Sequence, residues 1–381
     1  MNTRFTELYY MKIAMLFPYA PAYRGPIYEL MDREFDVDWY FCGNAKRPLK
    51  LYDYSLLKKC DLSLKEEKVI GPIVKFKGIK RIPFVDYDYV ICPLGIRNLS
   101  LWWLTSSRRK NNGGAKVLFW AHGWYGSEHG FQAFLKKTFI KRFDGMLLYG
   151  EYAKAMLQQK GFDGSIIHVL YNSLDYDTQL NIRKCLRTSL IYQEHFNNKN
   201  RNIVFIGRLI EDKKFSLLIE AVVKLKKSGF FVNVTFIGDG EERACMEKLV
   251  KEKGIEKQVW FYGACYDEQI NAELIYNADL CVSPGKIGLT AIHVLMFGCP
   301  AITCDDFTVR APEFEAIKPG VTGDFFKADD SNSLADIIRK WLTDHTDDRE
   351  AIRNNCFNEI DKKWNTHYQI KVLKDVFNQA K

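Results

Sequence analysis

The chain has 381 residues and a formal net charge of +8, with 47% of its residues hydrophobic and 27% charged. This length is too great for one ordinary core and predicts two domains, and no apolar run reaches the roughly 20 residues that a membrane-spanning helix needs. The ten cysteines contain no Cys-x-x-Cys pair, so neither a zinc site nor a disulfide framework is predicted. The chain also lacks a Lys/Arg-rich tail and a zinc finger, which argues against nucleic acid as a partner.

In the first half, short apolar runs bounded by turn residues alternate with helical patterns, as is typical of buried parallel strands. The predicted strands are Lys12–Phe17, Val37–Phe41, Tyr89–Cys92, Val117–Trp120, Met146–Leu148 and Ile167–Leu170. The polar segment 179–200 that follows has weak periodicity and is predicted to be a linker.

The second half repeats this alternation more regularly. Its predicted strands are Asn202–Ile206, Val232–Ile237, Val259–Phe261, Leu280–Val282 and Ala301–Thr303, and its predicted helices are Phe215–Leu225, Glu241–Lys253, Asp267–Ala278, Leu289–Phe297 and Asn332–Leu342. Alternation of this kind implies parallel sheets with helices on both faces.

The predicted fold class is therefore α/β, with two Rossmann-like doubly wound domains, 1–178 and 201–364, facing an inter-domain cleft. A C-terminal helix at about 365–381 is expected to pack back on the first domain. Because ligands of open parallel sheets bind beyond the carboxyl ends of the strands, the cleft is the expected active site.

One strand of the second half ends at Gly207, and the loop after it carries Arg208 and Lys213. An arginine offers a planar fork, and a lysine a mobile point charge, to phosphate oxygens. This loop is a candidate diphosphate site, although a solvated basic loop would explain the same residues.

A second loop, Gly238-Asp239-Gly240, also joins a strand to a helix. Its glycines permit a tight turn, and its acidic residue suits the positive end of the helix. Taken alone, this segment is explained as well by a structural turn as by a ligand site.

A third loop contains Gly285, Gly288 and Leu289 and leads into a helix whose free N–H groups can bind phosphate. His293 lies on that helix. A histidine in this place can contact a ligand or pack within the protein.

Together these segments resemble the group 1 (family 4) retaining glycosyltransferases of the GT-B fold. The matching segments are Gly207-Arg208-Leu209 with Lys213, Gly238-Asp239-Gly240, Phe261-Tyr262-Gly263, Ala278-Asp279, Ser283-Pro284, Gly298-Cys299-Pro300, Pro312-Glu313 and Gly320-Val321-Thr322-Gly323. The first half matches more loosely, at Pro21–Pro26, Ala121-His122-Gly123 and Tyr171-Asn172-Ser173-Leu174-Asp175.

The resemblance implies that the second domain binds a nucleotide-sugar donor, UDP- or GDP-linked, and that the first binds the acceptor. It implies catalytic roles for Arg208 and Lys213, which would stabilise the departing diphosphate, and a place for His122 near the donor sugar. The implied donor contacts are Gly207, Gly238, Gly240, Gly285, Gly288, Leu289, His293 and Glu313. It implies neither a cofactor nor an obligatory metal.

The chain departs from the family at two positions. The family carries two glutamates, separated by seven residues, before its Gly-x-Pro segment, whereas this sequence has Gly285 and His293 there. By resemblance, the first glutamate contacts the donor sugar and the second the ribose hydroxyls. His293 can still hydrogen-bond a hydroxyl, and the backbone N–H of Gly285 is the group left at the other position.

Residues 131–143 form a basic amphipathic helix candidate. Its predicted apolar face is Phe131, Phe134, Leu135, Thr138 and Phe139, flanked by Lys136, Lys137 and Lys141. Such a helix can lie on an anionic membrane surface, and it can equally be a domain helix that packs on the sheet.

The predicted function is a retaining glycosyltransferase acting on a glycan or lipid-linked acceptor in cell-surface polysaccharide biosynthesis, located in the cytoplasm and peripheral at the inner face of the membrane. The alternatives are a catalytically weakened GT-B-fold protein that binds nucleotide or glycan, and another reaction on the same fold, such as that of an epimerase or a phosphorylase.

Overall fold

The computed structural model describes residues 11–43, 50–110, 114–307 and 311–378. Its internal contacts divide the chain into two compact units, one of Met1–Leu170 with Thr366–Lys381 and one of Tyr171–Asn365. The division falls after Leu170, earlier than the predicted position 178. The segment 179–200, predicted to be a linker, instead lies within the second unit, where it contributes to two helices.

The first unit is built around a parallel sheet. In chain order its strands and helices are β1 (Lys12–Phe17), α1 (Gly25–Glu34), β2 (Asp36–Phe41), β3 (Cys60–Asp61), β4 (Lys65–Ile70), β5 (Ile73–Lys77), β6 (Tyr89–Cys92), α2 (Leu99–Lys110), β7 (Lys116–Ala121), α3 (Gly130–Ile140), β8 (Gly145–Leu148), α4 (Glu151–Gln159) and β9 (Ile167–Val169). The sheet order is β3-β2-β1-β6-β7-β8-β9, and all of these pairs are parallel.

Strand β1 shows why this sheet is covered on both faces. Ile13 and Met15 belong to one buried apolar cluster, and Ala14 and Leu16 belong to the other. Successive side chains of a strand point to opposite faces, so a strand that is apolar from Ile13 to Phe17 needs a helical layer on each side. Burial of each such large side chain contributes about 1.5–3 kcal/mol to the free energy of folding.

The second unit contains α5 (Tyr176–Cys185), α6 (Ile191–Phe196), β10 (Arg201–Ile206), α7 (Phe215–Lys227), β11 (Val232–Ile237), α8 (Arg243–Glu252), β12 (Val259–Gly263), α9 (Glu268–Asn277), β13 (Leu280–Ser283), α10 (Thr290–Met296), β14 (Ala301–Cys304), β15 (Gly323–Phe326), α11 (Ser331–Asp344) and α12 (Arg349–Lys363). Its sheet order is β12-β11-β10-β13-β14-β15, again parallel throughout. Strand order reverses between β10 and β13, which is where ligands of doubly wound sheets bind.

The last helix, α13 (Thr366–Asn378), belongs to the first unit. Its Ile370, Leu373 and Phe377 lie in the same buried cluster as Ile13 and Met15. Positions separated by three and four residues share one face of a helix, so one apolar stripe of α13 packs against the first sheet. Residues 379–381 of the predicted C-terminal helix lie outside the described residues.

The predicted fold class is confirmed as two Rossmann-like α/β units, and every strand and helix predicted in the second half is present. The antiparallel hairpin β4–β5 was not predicted, because its strands are rich in charged, exposed residues. Helix α12 was also missed, since its buried Ile352, Cys356 and Ile360 are isolated among charged side chains.

The apolar face predicted for residues 131–143 is wrong in part, as helix α3 shows. Phe139 is buried in the first unit's core, with its ring 4.5 Å from that of Trp102, whereas Phe131 and Phe134 are 75% and 67% exposed. Lys136, predicted to flank the face, is buried and forms an ion pair with Glu128. The helix therefore packs its C-terminal half on the sheet and presents two phenylalanines at its N-terminal end.

Candidate functional site

The loops that follow β10 and β11 are packed together through their backbones. A Cβ atom at Gly238 would lie 1.9 Å from the carbonyl oxygen of Gly207, and one at Gly240 would lie 2.2 Å from that of Leu209. Since real Cβ atoms do not approach backbone this closely, both positions require glycine. These residues are thus fixed by close packing at the carboxyl edge of the sheet.

Arg208 follows Gly207 and is exposed. It lines a pocket of about 200 Å³, together with Gly238, Asp239 and Tyr266 among others. Complete small-ligand sites occupy about 300–1,000 Å³, so this pocket suits one part of a larger ligand. The guanidinium fork of Arg208 is suited to phosphate oxygens or other anionic groups.

Lys213 joins the loop after β10 to the loop after β13. Its ammonium group donates to the carbonyl oxygens of Lys286 and, at 3.5 Å, of Ile287. Burial lowers the pKa of Lys213 to about 8. Lys213 therefore places a positive charge at the point where strand order reverses. Deprotonation removes this charge just above neutral pH.

Gly285 lies in the same contact between loops. Its N–H donates to the carbonyl oxygen of Lys213 (2.9 Å), and its own carbonyl accepts from Thr303 Oγ1 (3.1 Å). A Cβ atom at this position would lie 2.0 Å from the carbonyl oxygen of Asp212. This backbone therefore has no room for a glutamate side chain at position 285.

Gly288 and Leu289 complete the loop before α10. Gly288 has a φ of 56°, in the left-handed region that favours glycine, and Leu289 immediately precedes the helix. Thr290 Oγ1 donates to the carbonyl oxygen of Ile206 (3.0 Å), which ties the start of α10 to the end of β10. The predicted loops after β10 and β13 are thus brought together in one unit.

His293 has a specific polar partner that sequence reasoning missed. His293 Nε2–H donates to Glu268 Oε1 (2.9 Å), and the same oxygen accepts from Gln179 Nε2 (2.7 Å). Burial acts to raise the pKa of Glu268, but the hydrogen bond and the electrostatic attraction of His293, together with the hydrogen bond from Gln179, outweigh it and hold that pKa below its usual value. Glu268 and Gln179 lie on α9 and α5, so no local motif indicated this contact.

Glu313 is 2% exposed. Its Oε1 accepts from Asn172 Nδ2 (2.7 Å), and its Oε2 is buried without a hydrogen-bond partner. Burial raises the pKa of Glu313, while Asn172 and the charge of Lys213 oppose that rise. The two predicted motifs that contain Asn172 and Glu313 are therefore joined by a buried hydrogen bond, which sequence spacing did not reveal.

His122 lies in the first unit, immediately after β7, whereas the other predicted site residues lie in the second unit. Its ring centroid is 5.0 Å from that of Tyr149 and 5.7 Å from that of Tyr125. His122 is therefore placed at the carboxyl edge of the first sheet, among aromatic side chains.

Within the described ranges, no three His, Cys, Asp or Glu side chains are grouped to hold a metal ion. The described helices also include none that is long and apolar enough to cross a membrane.

Comparison with known proteins gives a match to most of the second unit. Residues 187–358 match the family model of the glycosyl transferases group 1. The 2-deoxystreptamine glucosyltransferase of Streptomyces kanamyceticus is 26% identical over 159 residues, which are 37% of this chain and 41% of that protein. The chain thus matches about two fifths of the length of this relative, and the predicted resemblance to group 1 glycosyltransferases is confirmed.

Solved structures extend the likeness to both units. The structure of HepE from Anabaena in complex with UDP has a TM-score of 0.68 at 17% identity, covering 97% of this chain and 100% of the other. The apo form of the lipopolysaccharide outer core galactosyltransferase WaaB gives the same values. At this identity the likeness concerns the fold, which is that of the GT-B glycosyltransferases.

Proposed function

We propose that this protein, whose residues 187–358 match the group 1 glycosyl transferases, moves a sugar from a nucleoside-diphosphate sugar to an acceptor. The observation that carries the proposal is the placement of Arg208 and Lys213 at the carboxyl edge of the second sheet. Lys213 Nζ contacts backbone carbonyls from the loop after β13, at the reversal of strand order. Two cations at such an edge suit a diphosphate.

The donor is proposed to be UDP- or GDP-linked. Support for a uridine nucleotide comes from HepE, whose structures were solved with UDP and with UDP-glucose. The glycine-requiring loops at Gly207, Gly238 and Gly240 leave backbone, rather than side chains, at the ligand edge of the sheet. Backbone of this kind can approach a nucleotide closely.

In the proposed reaction, the bond from the sugar C1 to the diphosphate oxygen breaks, and a bond from C1 to an acceptor oxygen forms. Negative charge grows on the departing diphosphate, so Arg208 and Lys213 stabilise the transition state more than the ground state. The acceptor proton passes to the departing phosphate, and the anomeric configuration is retained, as the resemblance implies. The proposal includes no cofactor and no metal.

Gly285 and His293 adapt the site to donor recognition without the family's two glutamates. With Nε2–H donated to Glu268, Nδ1 is the remaining ring nitrogen of His293, and it accepts a hydrogen bond when it carries no proton. An acceptor at this position can take a hydrogen bond from a ribose hydroxyl, as the second glutamate does in the family. The backbone N–H and carbonyl of Gly285 are both hydrogen-bonded within the protein, to Lys213 and Thr303, so the donor sugar is read by other residues.

The acceptor is proposed to be a glycan or a lipid-linked glycan, used in cell-surface polysaccharide biosynthesis at the inner face of the cytoplasmic membrane. Support comes from WaaB, which is a lipopolysaccharide outer core galactosyltransferase. The exposed pair Phe131 and Phe134, with stacked rings 6.5 Å apart, supports peripheral attachment to an anionic membrane.

Liposome sedimentation tests the attachment. We expect the full chain to sediment with anionic liposomes at low salt and to lose this property with Phe131→Ser and Phe134→Ser together. The matched control is Val69→Ser with Ile70→Ser, which removes another exposed apolar pair of the same unit. Equal sedimentation of all three proteins, or of none, refutes attachment through α3.

A second candidate function is nucleotide or glycan binding without transfer. It is favoured by the steric exclusion of a carboxylate at position 285, since a sugar-contacting glutamate cannot stand there. The two functions differ in turnover and share the nucleotide site.

Calorimetric titration with UDP, GDP and ADP tests the shared site, using the wild type and an Arg208→Ala, Lys213→Ala double variant. We expect one nucleotide to bind the wild type and the variant to lose it. The release of that nucleotide from its sugar conjugates is then measured in the presence of glycan acceptors. Release indicates transfer, and binding without release indicates the second candidate function. A well-folded wild type that binds none of the three nucleotides rules out the proposed donor site.

A further inference from the structure

Arg24 is a buried cation that lies outside the proposed donor site. It lies in the first unit, just before α1, and is 7% exposed. Its guanidinium carbon is 4.4 Å from the ring centroid of Trp120 and 5.5 Å from those of Tyr28 and Tyr149. Among the described residues, no carboxylate forms an ion pair with Arg24.

The polar atoms around this guanidinium have no anionic acceptor among the described residues. Arg24 Nη2, Tyr28 Oη and Trp120 Nε1 are all buried, and none of them forms a hydrogen bond of normal geometry within the described ranges. Arg24 and Tyr28 do lie close enough to interact with each other. The arginine and tryptophan nitrogens can only donate, and the tyrosine hydroxyl can donate as well. Burying a charge without a partner is costly unless another group compensates for it. The cluster therefore lacks an anionic acceptor.

The cluster also lies where a ligand is expected. Phe17 ends β1 shortly before Arg24, Trp120 is the next-to-last residue of β7, and Tyr149 follows β8. These positions mark the carboxyl edge of the first sheet, whose strand order reverses between β1 and β6. The first turn of α1 contains no acidic residue, so the positive end of its dipole adds to the charge of Arg24.

We propose that Arg24, Tyr28 and Trp120 form an oxyanion subsite in the first unit that binds a phosphoryl group of the acceptor. Donors from three residues around one cation suit the tetrahedral oxygens of a phosphoryl group better than a planar carboxylate. The assignment of that group to the acceptor rests on the proposed function. The oxyanion site itself does not, because all of its residues belong to the first unit.

The competing role for Arg24 is packing, in which its stacking on Trp120 stabilises the core. The two roles predict opposite effects of Arg24→Met. If the guanidinium serves a ligand, the substitution removes an uncompensated charge and leaves the melting temperature of the free protein unchanged or raises it. If it serves packing, the substitution lowers that temperature because cation–π contacts are lost.

The test measures thermal unfolding of the full chain with and without inorganic pyrophosphate. It is done in the Arg208→Ala, Lys213→Ala background, so that the second unit's diphosphate site does not contribute. We expect pyrophosphate to raise the melting temperature, and Arg24→Met to weaken its apparent affinity by about tenfold or more, since hydrogen bonds to charged groups are involved. Tyr28→Phe removes one donor without leaving a cavity and should weaken the affinity by a smaller factor.

Arg142→Met provides the matched control. Arg142 also lies over a tryptophan, 5.5 Å from the ring centroid of Trp102, but its Nε donates to Thr105 Oγ1 at 3.2 Å. We expect this variant to keep the full response to pyrophosphate. An equal response in Arg24→Met, or no response in the background protein together with a lower melting temperature for Arg24→Met, overturns the subsite.

Two further ligands distinguish the source of the phosphoryl group. Arg24-dependent stabilisation by geranyl diphosphate indicates a lipid-linked acceptor, and Arg24-dependent stabilisation by glucose 6-phosphate indicates a phosphorylated sugar. Either result supports the subsite. Nucleotide titration of the wild type is independent of both, so a failed donor site and a failed oxyanion subsite give separate results.

Discussion

The carboxyl edges of the two sheets differ in whether backbone or side chains form them. In the second unit, backbone packs on backbone, because Gly238, Gly240 and Gly285 leave no room for a Cβ atom. In the first unit, the edge is made of side chains, with Arg24 enclosed by Trp120 and other aromatic rings. The same sheet architecture therefore carries one proposed site that depends on glycines and another that depends on side chains far apart in sequence.

This difference has consequences for how each edge responds to substitution. Where backbones touch, any side chain disturbs the loops themselves, and the loss appears first as instability. Where side chains converge, a substitution changes ligand affinity and leaves the backbone in place. We therefore expect the largest effect at a glycine of the second unit, and smaller effects at side chains that would contact a ligand.

Gly238→Ala should lower the free energy of unfolding by about 3–5 kcal/mol, since its Cβ atom would overlap the carbonyl of Gly207. Gly254→Ala is the matched control, because Gly254 also has positive φ but has open space around it. It should cost only about 1 kcal/mol, for backbone strain. Chemical denaturation measures both, and similar losses would contradict the view that backbone contact fixes position 238.

Lys213→Gln should weaken binding of the preferred nucleoside diphosphate by about 10–100-fold, the value of a hydrogen bond between charged groups. Lys214→Gln, one residue along, is the control, because Lys214 is exposed and forms an ion pair with Asp329. Calorimetry should detect little change in the control. If both variants bind equally well, Lys213 does not contact the diphosphate.

The same lysine predicts the pH dependence of binding. A diphosphate binds the charged form of Lys213, whose pKa in the free protein is about 8. Affinity should therefore be highest below pH 8 and fall by about fivefold between pH 8 and pH 9, while the phosphate, which ionises near pH 6, stays fully charged.

Lys213→Arg should remove this fall in affinity, because the pKa of arginine lies above 12. Titrations at several pH values compare the two profiles. A fall of the same steepness in Lys213→Arg would assign the pH dependence to another group.

His293→Ala should weaken nucleotide binding by about fivefold, the value of one neutral hydrogen bond. The loss should be smaller for the 2′-deoxy nucleotide, because the contact is with a ribose hydroxyl. Glu268→Gln should reproduce part of the effect by releasing the His293 ring, whereas Glu273→Gln, on the same helix, should not. Equal losses for the ribose and deoxyribose nucleotides would exclude this contact.

The second unit was more predictable from sequence than the first. Its strands are short apolar runs followed by glycines, and the spacing of Gly207, Gly238 and Gly240 reflects direct backbone contact. In the second unit, the glycine pattern that is visible in the sequence is therefore the same one that the packing of the loops requires. In the first unit, the exposed hairpin β4–β5 and the split face of α3 depend on which residues the sheet happens to cover.

The partners of the predicted residues could not be read from the sequence. Glu268 contacts His293 from another helix, and Asn172 is far along the chain from Glu313. A hydrogen bond between distant segments leaves no periodic or motif signal, since its two members are selected by geometry. The fit of Gly285 against Asp212 is of the same kind, because the glycine alone could equally have marked a flexible loop.

The sequence by itself determined the alternation of strands and helices, the two Rossmann-like units and the loops at which Arg208 and Lys213 would be found. These features follow from hydrophobic periodicity and from the conformational demands on glycine, which are local properties of the chain. Only the tertiary structure decided that Lys213 is desolvated, that Glu313 is buried and that Arg24 has no anionic partner among the described residues. Burial and pairing are decided by segments far apart in sequence, and they set the charge that each group can carry.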